Sequence, residues 1–94
     1  METKLKDIKL EIEQIIQNIN DIISEEDFSA YHTIKNYLNK MTDCILEYKI
    51  IDANKYLGFC IRSIMEAPPK NEQLGLDTLT RMDTLYKKLI VLLD

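Results

Sequence analysis

Ninety-four residues, 46% of them hydrophobic and 30% charged, suffice for one core of ordinary globular balance and exclude a disordered chain. Twelve basic against sixteen acidic residues leave a net charge of −4, the wrong sign for nonspecific binding to nucleic acid or to an anionic membrane. Two glycines and two prolines are too few for the turns of an all-β fold.

The opening residues, Met1-Glu2-Thr3-Lys4, mix charges and carry no apolar segment, so a secretory leader is not expected. The longest apolar run, residues 89–93, is too short to span a bilayer. Cys44 and Cys60 are too few for a disulfide framework or a zinc site. The expectation is a cytoplasmic protein with reduced thiols.

In the first segment, apolar residues fall at Leu5, Ile8, Ile12, Ile15, Ile19 and Ile22. Alternating steps of three and four are the a and d positions of a heptad. Ile16 and Ile23 widen the stripe, which suits a bundle better than a bare two-stranded coil. The spacing predicts a first helix over residues 2–23. Ser24-Glu25-Glu26-Asp27 then offers two candidate N-caps and acids for the positive end of a second helix. Tyr31, Ile34, Leu38, Met41, Ile45 and Tyr48 repeat the rhythm, with Ala30, Tyr37 and Cys44 beside it. That predicts a second helix over 27–48.

Continued further, the seam would reach Asp52 and Lys55, which no core accepts unpaired. The phase restarts at Ala53, Leu57, Cys60, Ile61 and Ile64. Asp52 is a suitable N-cap, and Ile51 can staple against Tyr56. A turn over 49–51 and a third helix over 53–67 follow, with one bent helix as the alternative. Pro68-Pro69 must end it. The last seam runs through Leu79, Met82, Tyr86, Leu89 and Leu93, with Leu85 and Leu92 alongside. A fourth helix is predicted over 72–93, starting at Asn71, or at Asp77 if Gly75 belongs to the loop. Short connections make successive helices antiparallel neighbours. The expected fold is all-α: a single domain, 1–94, forming a small antiparallel four-helix bundle whose third helix is short and apolar all round.

Chemistry needs titratable groups that converge where water is excluded. His32 is the only histidine and stands beside the seam, so it reads as a surface side chain rather than a base or metal ligand. Asp7 with Glu11, Asp43 with Glu47, and Glu72 near Asp77 recur at helical spacing, but without the Glu-x-x-His pair of di-iron bundles. A solvated face accounts for them. The chain has no glycine-rich phosphate loop and no Gly-x-Ser-x-Gly elbow. No enzyme, cofactor or metal is expected.

The third helix stands apart. Seven of the ten residues from Tyr56 to Met65 are apolar and cover most of its circumference, as in a helix buried all round or held at an interface. Gly58 in its interior suggests close approach of another backbone. Phe59 and Arg62 lie one turn apart, away from Leu57, Ile61 and Ile64, in the manner of a binding hot spot. Equally open is a central helix with Arg62 paired to a carboxylate. Tyr31, Tyr48 and Tyr86 on the seam each need a hydroxyl partner, whereas Tyr37 and Tyr56 sit at its edge, where amphipathic aromatics serve interfaces. The candidate binding residues are therefore Tyr56, Phe59, Arg62 and Met65, with Tyr37 and His32 secondary.

In size and helix count the chain resembles the small immunity proteins of pediocin-like bacteriocins, which are four-helix bundles of similar length; the likeness is one of architecture. Its Lys-, Ile- and Asn-rich composition also looks like that of many short phage or low-GC bacterial proteins, several of which inhibit host defence systems. The expected function is non-enzymatic: an interaction or inhibitor protein that presents a helical surface to a protein partner. Self-association into a homo-oligomer is expected too, because isoleucine at both a and d favours more than two strands. The alternative is a protein that binds or sequesters a nucleotide or metabolite between protomers, using Arg62, tyrosine hydroxyls and His32.

Overall fold

A computed structural model describes residues 2–93. Four helices follow one another: α1 (Glu2–Glu25), α2 (Ser29–Leu46), α3 (Ile50–Glu66) and α4 (Glu72–Leu93). α1 packs on α2 and α4, and α3 packs on α2 and α4, so the helices occupy the corners of a square. Every short connection joins antiparallel neighbours, giving the up-and-down four-helix bundle. The bundle measures 37 × 20 × 19 Å.

Each helix contributes one seam to the interior. Ile8, Ile12, Ile15, Ile19 and Ile22 are buried on α1, and Tyr31, Ile34, Leu38, Met41 and Ile45 on α2. These are the heptad positions read from the sequence. The requirement of isoleucine at a and d for more than two strands is met by the four helices of one chain.

The α1–α2 corner differs from expectation in its cap. Phe28 is the N-cap residue of α2 and supplies no side-chain hydrogen bond. Asp27 is engaged elsewhere, its Oδ1 lying 2.6 Å from His32 Nε2. The buried Tyr31 hydroxyl donates to the Ala67 carbonyl at 3.0 Å, joining the start of α2 to the end of α3.

At the α2–α3 turn the helices are separate, but the break comes earlier than the predicted 49–51. α2 ends at Leu46, and Tyr48 adopts a left-handed φ of 59°. Tyr48 is thus a turn residue, 45% exposed, and not a seam residue. Asp52 is not the N-cap either: α3 begins at Ile50 and Asp52 lies in its first turn. There it favours the positive helix end. Ile50 is buried and Ile51 is exposed, which removes the proposed Ile51–Tyr56 staple. With Ile50 included, the α3 seam runs Ile50, Ala53, Leu57, Cys60, Ile64 in the same rhythm as the others.

Asn71 caps α4, its Oδ1 accepting from the Leu74 amide at 3.1 Å. Gly75 belongs to the helix, and its seam is Gly75, Thr78, Met82, Leu85 and Leu89. Met82 and Leu89 lie on the predicted line, but Thr78 and Leu85 take the places expected of Leu79 and Tyr86, and Tyr86 and Leu93 are 40% and 47% exposed. The cause is local. A Cβ on Gly75 would stand 3.1 Å from Pro69 Cδ, so glycine lets the buried Pro69 ring sit against α4. Thr78 follows it inward, donating to the Leu74 carbonyl at 2.7 Å and accepting from Asn18 Nδ2 at 3.3 Å. A polar residue can be buried here because its hydroxyl is satisfied.

Candidate functional site

α3 is the shortest of the four helices at 17 residues, and its apolar residues do surround it. The inner ones are core; outside, Ile51, Phe59 and Met65 are exposed. Gly58 is not a close-approach position, since a Cβ there would meet nothing within 4 Å.

The outer seam between α2 and α3 brings distant residues together. Seen down α3 at about 100° per residue, Tyr56 lies on the flank towards α2 and Phe59 next to it on the outside. Tyr37 projects from α2 between them. Its ring stacks on Tyr56 with centroids 5.6 Å apart and leans on Phe59 at 5.7 Å. Offset aromatic contacts of this kind hold each other in fixed orientations.

A cation sits at either end of this strip. Lys40, one turn along α2, places Nζ 5.8 Å from the Tyr37 centroid and 5.9 Å from that of Tyr56. Arg62 places its guanidinium 5.7 Å from the Phe59 centroid. Neither cation has an ion-pair partner among the described residues. Arg62 is therefore not tied to a carboxylate, and its position comes from the ring face. The strip collects Tyr37, Tyr56, Phe59 and Arg62 as expected and adds Lys40, which the sequence reading missed. The signal was the one-turn spacing from Tyr37 to Lys40.

Met65 and His32 do not join it. Met65 is 67% exposed but stands about 120° round α3 from Phe59, on the flank towards α4. His32 lies about 140° round α2 from Tyr37, where it pairs with Asp27. Within one chain, His32 and Arg62 therefore stand on different faces of the bundle.

Other polar groups cross-link the bundle. Lys88 on α4 meets Asp7 at 2.9 Å and Glu11 at 3.4 Å, and Arg81 reaches Glu11 at 3.8 Å. The hydrogen bond to Asp7 is the main reason Lys88 holds its proton more firmly than an ordinary lysine. Glu47 pairs with Lys49, and Asp77 accepts from Gln73. Among the described residues no group of three His, Cys, Asp or Glu side chains could hold a metal ion. Burial pushes the Cys60 thiol up to about 12. Burial and then Asp52 raise that of Cys44, and a protonated thiol is a poor nucleophile. No helix is long and apolar enough to cross a membrane.

In comparisons with known proteins, no family model, curated protein or solved structure matches the chain.

Proposed function

We propose that this protein is a non-enzymatic binding module that engages a protein partner through the α2–α3 outer seam. The observation that carries the reading is the contact of three half-exposed or exposed rings, Tyr37, Tyr56 and Phe59, with two cations, Lys40 and Arg62, that have no ion-pair partner among the described residues. Aromatic residues and arginine concentrate binding energy at protein interfaces. Here they are held rigid by one another, so little side-chain entropy remains to be lost on docking. An inhibitory role would follow from occupying a partner's surface, without any chemistry of its own.

The test is capture by the immobilised chain from an extract of its source. Phe59→Ala and Arg62→Glu should each release the captured partner, while Leu10→Ala, on the exposed face of α1, should retain it. Because Phe59 and Arg62 are outside the core, these variants should stay folded and lose no more than about 1 kcal/mol, the worth of one aromatic or cation–π contact. An unchanged set of captured proteins would overturn the reading. A second copy of the chain is the alternative occupant. In that case the solution mass would be that of an oligomer, and Arg62→Glu would return it to the monomer.

A further inference from the structure

We infer that the partner segment recognised by this strip is acidic, with an apolar side chain between two carboxylates. This inference rests on the reading above and names the chemistry of the partner. Three steps of 5.8, 5.7 and 5.7 Å lead from Lys40 Nζ through the Tyr37 and Phe59 rings to the Arg62 guanidinium. The two cations are thus no more than about 17 Å apart, with the Tyr37 and Phe59 rings on the path between them. Each is placed over a ring face before any partner arrives. Neither is paired with a carboxylate among the described residues.

In an extended segment alternate side chains share a face, with those two apart separated by about 6.6 Å and those four apart by about 13 Å. A carboxylate, an apolar group and a second carboxylate at i, i+2 and i+4 therefore fall within the span of cation, rings and cation. Carboxylates suit guanidinium and ammonium donors, and the middle side chain covers the rings and excludes water from both pairs. A polyanion fits less well. By helical phase Asp52 and Glu66 share the outer face of α3 with Phe59 and Arg62. The exposed Lys55 lies on the same face by helical phase, but the two acids break up the positive potential, whereas a nucleic-acid backbone presents continuous charge. A quaternary ammonium ligand, otherwise attracted to ring faces, would meet the two cations already there.

The experiment uses the full chain and fluorescein-labelled peptides in which Glu alternates with Ala around one central Leu. Analogues carry Gln or Lys in place of Glu, and an oligothymidylate serves as the polyanion. Fluorescence anisotropy should show saturable binding of the Glu peptide that weakens with salt. Binding should fall at least tenfold for Phe59→Ala and for the double variant Lys40→Glu with Arg62→Glu. The double variant should instead prefer the Lys peptide. Equal binding of the Gln and Glu peptides, lost on Phe59→Ala, would overturn the acidic partner while leaving the strip as a binding surface. Tighter binding of the oligothymidylate, no binding of the Glu peptide, or Glu-peptide binding indifferent to all three substitutions would also overturn it. Capture that is unchanged by Phe59→Ala would instead count against the strip itself.

Discussion

Two glycines occupy helix interiors and have opposite reasons to be there. Gly58 faces open space, so a methyl group would meet nothing while the helix gains rigidity. Gly58→Ala should stabilise the protein by about 1 kcal/mol, seen as a rise of several degrees in melting temperature. Gly75→Ala carries the same propensity gain but forces the Pro69 ring away from a contact of 3.1 Å. That ring is buried and rigid, so Gly75→Ala should melt at or below the wild-type temperature. A rise equal to that of Gly58→Ala would show that Pro69 does not set the position of α4. Cys60 supplies a pH dependence with a definite sign. Its thiol is held at about 12 by burial against an ordinary value of 9.0. Between those values the unfolded thiol ionises and the folded one does not. The folded state then binds the extra proton, and stability falls as pH rises. The advantage of the wild type over Cys60→Ala in urea unfolding should therefore shrink from pH 9.0 towards about 12. A constant difference would mean that the thiol ionises as readily in the folded chain.

The start of α3 shows how an element is placed by one residue. Ile50 and Ile51 are adjacent and chemically identical, yet one is 4% exposed and the other 63%. Ile50 joins a seam already defined by Ala53, Leu57, Cys60 and Ile64. Ile50→Ala should cost about 2–5 kcal/mol through lost burial and the cavity left behind. Ile51→Ala should stay within about 0.5 kcal/mol. Similar losses at both positions in denaturant unfolding would contradict the helix start described above. The α2–α3 turn has its own strain, since Tyr48 is a tyrosine at a φ of 59°, a conformation disfavoured for side chains other than glycine.

For the molecule as a whole, four seams meet in one core and leave the outer faces free to differ. The α1–α4 face is laced by Lys88 and Arg81 to Asp7 and Glu11, which satisfies its charges internally. On the α2–α3 face Lys40 and Arg62 stand over rings and, among the described residues, have no ion-pair partner. That contrast is the physical basis for placing partner binding there. With the apolar seams buried within one chain, any contact with a second copy would use an outer face.

Helix number, antiparallel order and the cores of α1 and α2 were legible from the sequence alone. Apolar steps of three and four can face inward only as helices, and short loops leave successive helices no other neighbour. Tyr37 and Tyr56 were legible as edge residues, and Phe59 and Arg62 as outward ones, for the same reason. Three matters required the tertiary structure. The phase of α4 depends on Pro69 packing against Gly75, a contact outside the helix that periodicity does not register. The start of α3 depends on whether Ile50 or Ile51 turns inward, and both fit a pattern of apolar residues taken singly. The site itself depends on the α2–α3 pairing that sets Tyr37 between Tyr56 and Phe59 and adds Lys40. A sequence determines which face of each helix is apolar. Which outer residues of two helices meet is decided only when the seams have docked.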